Sequence, residues 1–95
     1  MSSSILITGK HIIDFTATWC GPCRRIAPVF EQLKEENKEI QFHKVDVDED
    51  TETTKHFEIE SMPTFVAVMD GKEIERFSGA SEQKLKDLVE MLTKL

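Results

Sequence analysis

The sequence has 95 residues, which suits one domain spanning 1–95 and leaves no room for two. Hydrophobic residues make up 39% and charged residues 32%, with no low-complexity run, as expected of a folded globule and not of a disordered chain. The net charge of −6 disfavours non-specific binding to nucleic acid or anionic membrane, and no apolar stretch reaches the roughly 18–20 residues of a membrane span.

Residues 1–8 carry no basic leader, and Ile5, Leu6 and Ile7 form too short an apolar run for a signal peptide. The expected location is therefore cytoplasmic, where structural disulfides are rare. His11 to Phe15 reads as a buried strand, interrupted by Asp14. Beyond Cys23, the residues Ile26, Val29, Phe30 and Leu33 recur at helical spacing, with Glu31, Gln32, Lys34, Glu35 and Glu36 opposite them. Pro28 falls inside that helix, where it is expected to kink the axis and separate the first turns from the packing part.

Ile40 to Val47 alternates loosely as a strand, and a short helix is expected from about Asp50 to Phe57. Thr64 to Met69 is apolar on both faces, and Asp70-Gly71 supplies tight-turn chemistry into a partner strand, Lys72–Ser78. Ser81 is an N-cap for a last helix with Leu85, Leu88, Val89 and Leu92 on its buried stripe. The resulting class is α/β, with a parallel first strand pair, an antiparallel last pair and helices on both faces.

Cys20 and Cys23 are the only cysteines, and they sit where the first strand gives way to the first long helix. Unpaired N–H groups and the helix dipole at such a terminus stabilise a thiolate, the form that attacks disulfides. Two intervening residues let the pair share one turn, and Pro22 fits the first turn because its missing N–H would be unpaired anyway. Cys20, at the helix tip beside exposed loop, reads as the nucleophile, and Cys23, one turn in and shielded, as the resolving thiol. The competing reading is a zinc site, but zinc wants four ligands and His11, His43 and His56 form no closely spaced pair. No metal is expected.

Trp19-Cys20-Gly21-Pro22-Cys23, preceded by Ile13-Asp14-Phe15 and followed by Met62-Pro63-Thr64, resembles the thioredoxin family, as do Pro28 and Phe77-Ser78-Gly79-Ala80. The resemblance runs from about His11 to the C-terminus. It implies the thioredoxin fold, a central mixed sheet of four to five strands, and a protein disulfide reductase with no bound cofactor. Its partners would be disulfide-containing proteins and an NADPH-dependent thioredoxin reductase. It further implies that Asp14 is a buried carboxyl serving Cys23 as proton acceptor, with Lys44 close by. On the residues alone, a solvent-facing Asp14 or Lys44 stays open. Met62-Pro63 would be a cis-proline dipeptide whose Met62 backbone pairs with an extended substrate. Trp19, Gly21, Pro22, Met62, Pro63, Gly79 and Ala80 would form a flat apolar rim around Cys20.

Two features depart from the family pattern. Only 13 residues precede Asp14, too few for a strand and a crossover helix, so the N-terminal strand–helix unit is expected to be truncated. That exposes part of one sheet face and leaves a monomer or a weak homodimer open. Ile5, Leu6 and Ile7 are expected to pack on the open sheet edge, in cis or by exchange between two copies, with a loose tail as the alternative. Arg24-Arg25 places a second cation near the helix start, favouring the Cys20 thiolate, while Glu58 and Glu60 make the opposite approach acidic. The alternatives are a glutaredoxin-like enzyme recharged by glutathione and a redox-independent binding module using the same rim.

Overall fold

The computed structural model describes residues 6–95. Seven elements follow one another: β1 (Lys10–Thr16), α1 (Gly21–Glu36), β2 (Ile40–Asp46), α2 (Thr51–His56), β3 (Thr64–Met69), β4 (Lys72–Ser78) and α3 (Glu82–Thr93). Each expected element is present within a residue or two. Side-chain caps set the helix starts: Asp50 accepts the Thr53 N–H at 3.0 Å, and Ser81 accepts the Lys84 N–H at 3.1 Å. α1 runs unbroken through Pro28, which lies on the exposed side, where water can reach the carbonyl that its missing N–H leaves unbonded.

Among the described residues the sheet has four strands in the order β2-β1-β3-β4. β1 and β2 are parallel because α1 carries the chain back between them, and the other two pairings are antiparallel. Asp70 (φ 50°) and Gly71 (φ 83°) both take left-handed conformations, as a two-residue hairpin turn requires. The Asp70 carboxylate also accepts the Gly9 N–H at 2.8 Å, tying this turn to the start of β1.

Side chains alternate across the sheet, so each strand feeds both faces. On one face Ile12, Phe65 and Ala67 pack against Ile26, Phe30 and Leu33 of α1 and against Leu85, Leu88, Val89 and Leu92 of α3. On the other, Ile13, Phe15, Val45, Val66 and Val68 pack with Phe57, at the end of α2, and with Leu6. This second face has the thinner cover. Arg76 reaches across it: its guanidinium donates to the Phe57 carbonyl at 2.8 Å and to both carboxylate oxygens of Glu73 at 2.7 Å.

The expectation that Ile5, Leu6 and Ile7 pack together on a sheet edge is corrected. Ile5 lies outside the described residues. Leu6 is buried (6% exposed) on the α2 face, whereas Ile7 is 61% exposed. The reason is the path of the chain. It crosses toward the β3–β4 turn, where a Cβ on Gly71 would stand 3.6 Å from the Ile7 Cα. The segment therefore turns one side chain in and the next out, with no strand at 6–8. His11, fully buried, holds it in place: its Nε2–H donates to the Thr8 carbonyl at 2.7 Å, and its Nδ1 pairs with His43 Nε2 at 2.9 Å.

These environments predict opposite outcomes for neighbouring residues. Leu6→Ala should lower unfolding free energy by about 2 kcal/mol, the worth of one buried aliphatic side chain. Ile7→Ala should stay within about 0.5 kcal/mol of the parent, as exposed substitutions do. Urea titration of both variants checks the pair, and equal losses would show the face assignment to be wrong.

Candidate active site

β1 ends at Thr16, and Ala17, Thr18 and Trp19 lead directly into α1. Cys20 is the N-cap of that helix, with extended backbone (φ −88°, ψ 110°), and its Sγ accepts the Cys23 N–H at 3.2 Å. A sulfur thus fills the place where a serine or aspartate oxygen would otherwise cap the helix. Cys20 and Cys23 are joined as a disulfide, with Cα atoms 5.3 Å apart. No acidic residue stands in the first turn of α1. The Arg24 guanidinium donates to the Thr18 carbonyl at 2.8 Å, so a cation is pinned beside the pair.

The expected contrast in exposure between the cysteines is not observed. Cys20 is 5% exposed and Cys23 4%. What separates them is their position on the helix. Cys20 Sγ lies 3.8 Å from the Met62 carbonyl oxygen, across the site, while Cys23 is already inside the first turn. As a disulfide Cys20 has no proton to offer that oxygen. After reduction a thiol would meet an acceptor there, and a thiolate a repelling dipole.

The Met62–Pro63 peptide is cis, and Met62 packs against the cluster of Ala17, Cys20 and Cys23. Gly79 (φ 103°) donates its N–H to the Pro63 carbonyl at 2.9 Å, which brings the end of β4 to this turn. Trp19 is 64% exposed, and its indole N–H donates to Asp48 at 2.9 Å. The rim differs from the expected one in one member: Pro63 is buried. Trp19, Gly21, Pro22, Met62, Gly79 and Ala80 are at least partly open to solvent, Ala80 also packing against the α1/α3 core.

Asp14 is 2% exposed, and its Oδ1 has no hydrogen-bond partner. Burial pushes its pKa up to about 6; Lys44, its cross-strand neighbour on β2, opposes the rise, and Glu31 adds to it. Lys44 itself is solvent-exposed. It lines, with Thr16, Cys23, Arg24 and Asp46, a groove of about 540 Å³. The pairing of a buried acid with an exposed lysine thus combines both alternatives left open by the residues alone. Among the described residues no group of three or more His, Cys, Asp or Glu side chains is arranged to hold a metal.

Sequence reasoning missed Asp48 as the partner of Trp19, because it is one of several acids between Asp46 and Glu52 with nothing local to distinguish it. It also missed the Arg24–Thr18 bond, although the basic residue following Cys23 was a visible signal.

The family model described as Thioredoxin matches residues 3–94. The thioredoxin of Ictalurus punctatus is 48% identical over 80 residues, covering 82% of this chain and 75% of that protein. A thioredoxin H-type of Picea mariana is 48% identical over 80 residues, 84% of this chain but only 64% of the longer relative. A solved thioredoxin of Plasmodium falciparum superposes with a TM-score of 0.90 at 42% identity, covering 94% of this chain and 88% of its own. That of Fasciola hepatica gives 0.89 at 45% identity, over 94% and 86%.

The pKa of Asp14 sets a stability test. Raised from its ordinary 3.8 to about 6, the carboxyl binds more protons folded than unfolded between those values. Stability should therefore fall as pH rises from 4 to 6, leaving a cost of about 3 kcal/mol at neutral pH. Asp14→Asn should raise stability at pH 7 by about 1–3 kcal/mol, change little at pH 4, and flatten the slope between. Urea midpoints of the oxidised proteins at both pH values check this, and a variant destabilised at pH 7 would mean a paired, structural carboxylate.

Proposed function

The chain belongs to the thioredoxin family, and on that footing we propose that it reduces disulfides of other proteins, with Cys20 attacking and Cys23 resolving. The observation that carries the proposal is the placement of Cys20: a sulfur that caps α1 within a partly apolar, open rim. The Cys23 N–H and the positive end of α1 favour negative charge on that sulfur, as does the pinned guanidinium of Arg24.

In the proposed reaction the Cys20 thiolate attacks one substrate sulfur, the substrate S–S bond breaks, and the first substrate thiolate leaves. A mixed disulfide joins Cys20 to the substrate. Cys23 then gives up its proton and attacks Cys20 Sγ. The Cys20–Cys23 bond forms and the second substrate thiolate departs, so two electrons pass from the dithiol to the substrate. Asp14, with a pKa of about 6, is suited to take the Cys23 proton near neutral pH. Lys44 beside the groove would favour the charged carboxylate that does so.

Returning the pair to the dithiol needs two electrons from outside. We assign that role to an NADPH-dependent thioredoxin reductase in a reducing cytoplasm, and disulfide-bearing proteins as the substrates. Exposure supports this reading: Trp19 and Pro22 are open to solvent and Met62 is partly so, leaving apolar surface beside the disulfide. Among the described residues no helix is long and apolar enough to cross a membrane.

Insulin-disulfide reduction, driven by NADPH and thioredoxin reductase, is the direct assay. Turnover should be abolished in Cys20→Ser, and Cys23→Ser should accumulate mixed disulfides through Cys20, visible as reductant-sensitive adducts on gels. Adducts formed by Cys20→Ser instead would reverse the two roles. Turnover with glutathione but not with the reductase would mark a glutaredoxin-like enzyme. Partner binding that survives replacement of both cysteines would mark a binding module.

A further inference from the structure

Thr64 opens β3 immediately after the cis-proline and is 2% exposed. Its Oγ1 lies 2.7 Å from the Ser61 carbonyl oxygen and 2.7 Å from Ser78 Oγ. A hydroxyl has one proton, and a carbonyl can only accept. Thr64 must therefore donate to Ser61 and accept from Ser78, which fixes the direction of the chain as Ser78 to Thr64 to Ser61. Such a one-way chain polarises each bond in it.

Ser78 is the last residue of β4 and stands directly opposite Thr64 in the antiparallel register. The next residue, Gly79, donates its backbone N–H to the Pro63 carbonyl at 2.9 Å. Two links thus join the end of β4 to the Ser61–Met62–Pro63 turn, one on each side of Met62. A Cβ on Gly79 would meet nothing within 4 Å, so the glycine is required there by its left-handed backbone and not by crowding. Met62 itself packs against Ala17, Cys20 and Cys23, and its carbonyl stands 3.8 Å from Cys20 Sγ.

We propose that Thr64 and Ser78 are positioning residues: their hydroxyl chain fixes the Met62 backbone against Cys20 for pairing with an extended protein substrate. The proposal rests on the disulfide-reductase reading given above. The hydroxyls touch no reacting atom, so they act through the turn. They should matter for substrates long enough to pair with Met62 and not for a small disulfide that reaches Cys20 alone. Simple burial of a satisfied threonine would instead affect folding stability and leave this discrimination untouched.

The test uses Ser78→Ala, Thr64→Val, which keeps the shape but removes the hydroxyl, and Thr64→Ser, which keeps the hydroxyl. KM and kcat are measured for insulin with dithiothreitol as electron donor, and the rate with a small aromatic disulfide is measured by mixing it with pre-reduced protein freed of dithiothreitol. Losing one neutral hydrogen bond should raise the insulin KM about fivefold in Ser78→Ala, and further in Thr64→Val, with kcat held. Thr64→Ser should restore the parent KM, and the small disulfide should react within about twofold of the parent throughout. An unchanged insulin KM in Ser78→Ala overturns the proposal, as does an equal loss on both substrates. Ser78 is exposed on an edge strand, so its variant decides the matter even if Thr64→Val fails to fold. A parent protein that reduces the small disulfide but not insulin would defeat the protein-reductase reading itself, and this proposal with it.

Discussion

The start of α1 is capped by the sulfur of Cys20, and the geometry of the site follows from that one contact. A helix leaves its first N–H groups without partners, and something must meet them. Here the cap is also one sulfur of the redox pair. The same N–H that a serine cap would satisfy is available to stabilise a thiolate, so local folding and thiol chemistry rest on the same polarity. Pro22 adds no further unmet donor, and the absence of acid in the first turn leaves the field uncancelled.

Around that cap the molecule supplies rigid support from distant parts of the chain. The Arg24 guanidinium binds the Thr18 carbonyl, Asp48 holds the Trp19 indole, and Val47 donates its backbone N–H to Thr16 at 2.9 Å. The opposite wall comes from the β2–β3 connection and the end of β4. The first wall combines residues that flank the cysteines with Val47 and Asp48 from beyond β2, and the second is wholly remote from them in sequence. The buried Asp14 carboxyl works against stability at neutral pH, and the aromatic packing of Phe30 with Phe42 and Phe65 lies on the same sheet face. The apolar stretch Ile12–Phe15 thus carries one carboxyl at the expense of folding free energy at neutral pH.

The two faces of the sheet are covered unequally. α1 and α3 bring two amphipathic stripes to one side, whereas α2, with six residues, covers the other together with Leu6 and the Arg76 guanidinium. Arg76 contributes its planar fork to Glu73 and a donor to Phe57, which keeps the charged group hydrogen-bonded where it crosses apolar surface. The His11–His43 pair completes this side by tying the Thr8 carbonyl to the sheet. Val47 packs against both this face and the cluster of Ala17, Cys20 and Cys23, so the α2 side adjoins the site.

Local periodicity alone determined most of the elements here. The stripe Ile26, Phe30 and Leu33 can be buried only as a helix, and Asp70-Gly71 can close only a tight turn. The spacing of Cys20 and Cys23 placed a redox pair on one turn for the same reason, since both depend on residues within a few positions of each other. Tertiary structure decided what depends on residues far apart in the chain. It turned Leu6 inward and Ile7 outward by routing the backbone over Gly71, and it buried Pro63 behind the rim that it was expected to join. It chose Asp48 among neighbouring acids for Trp19, and it set Ser78 opposite Thr64 through the β3–β4 register. Those choices depend on which strands become neighbours, a property that no window of adjacent residues contains.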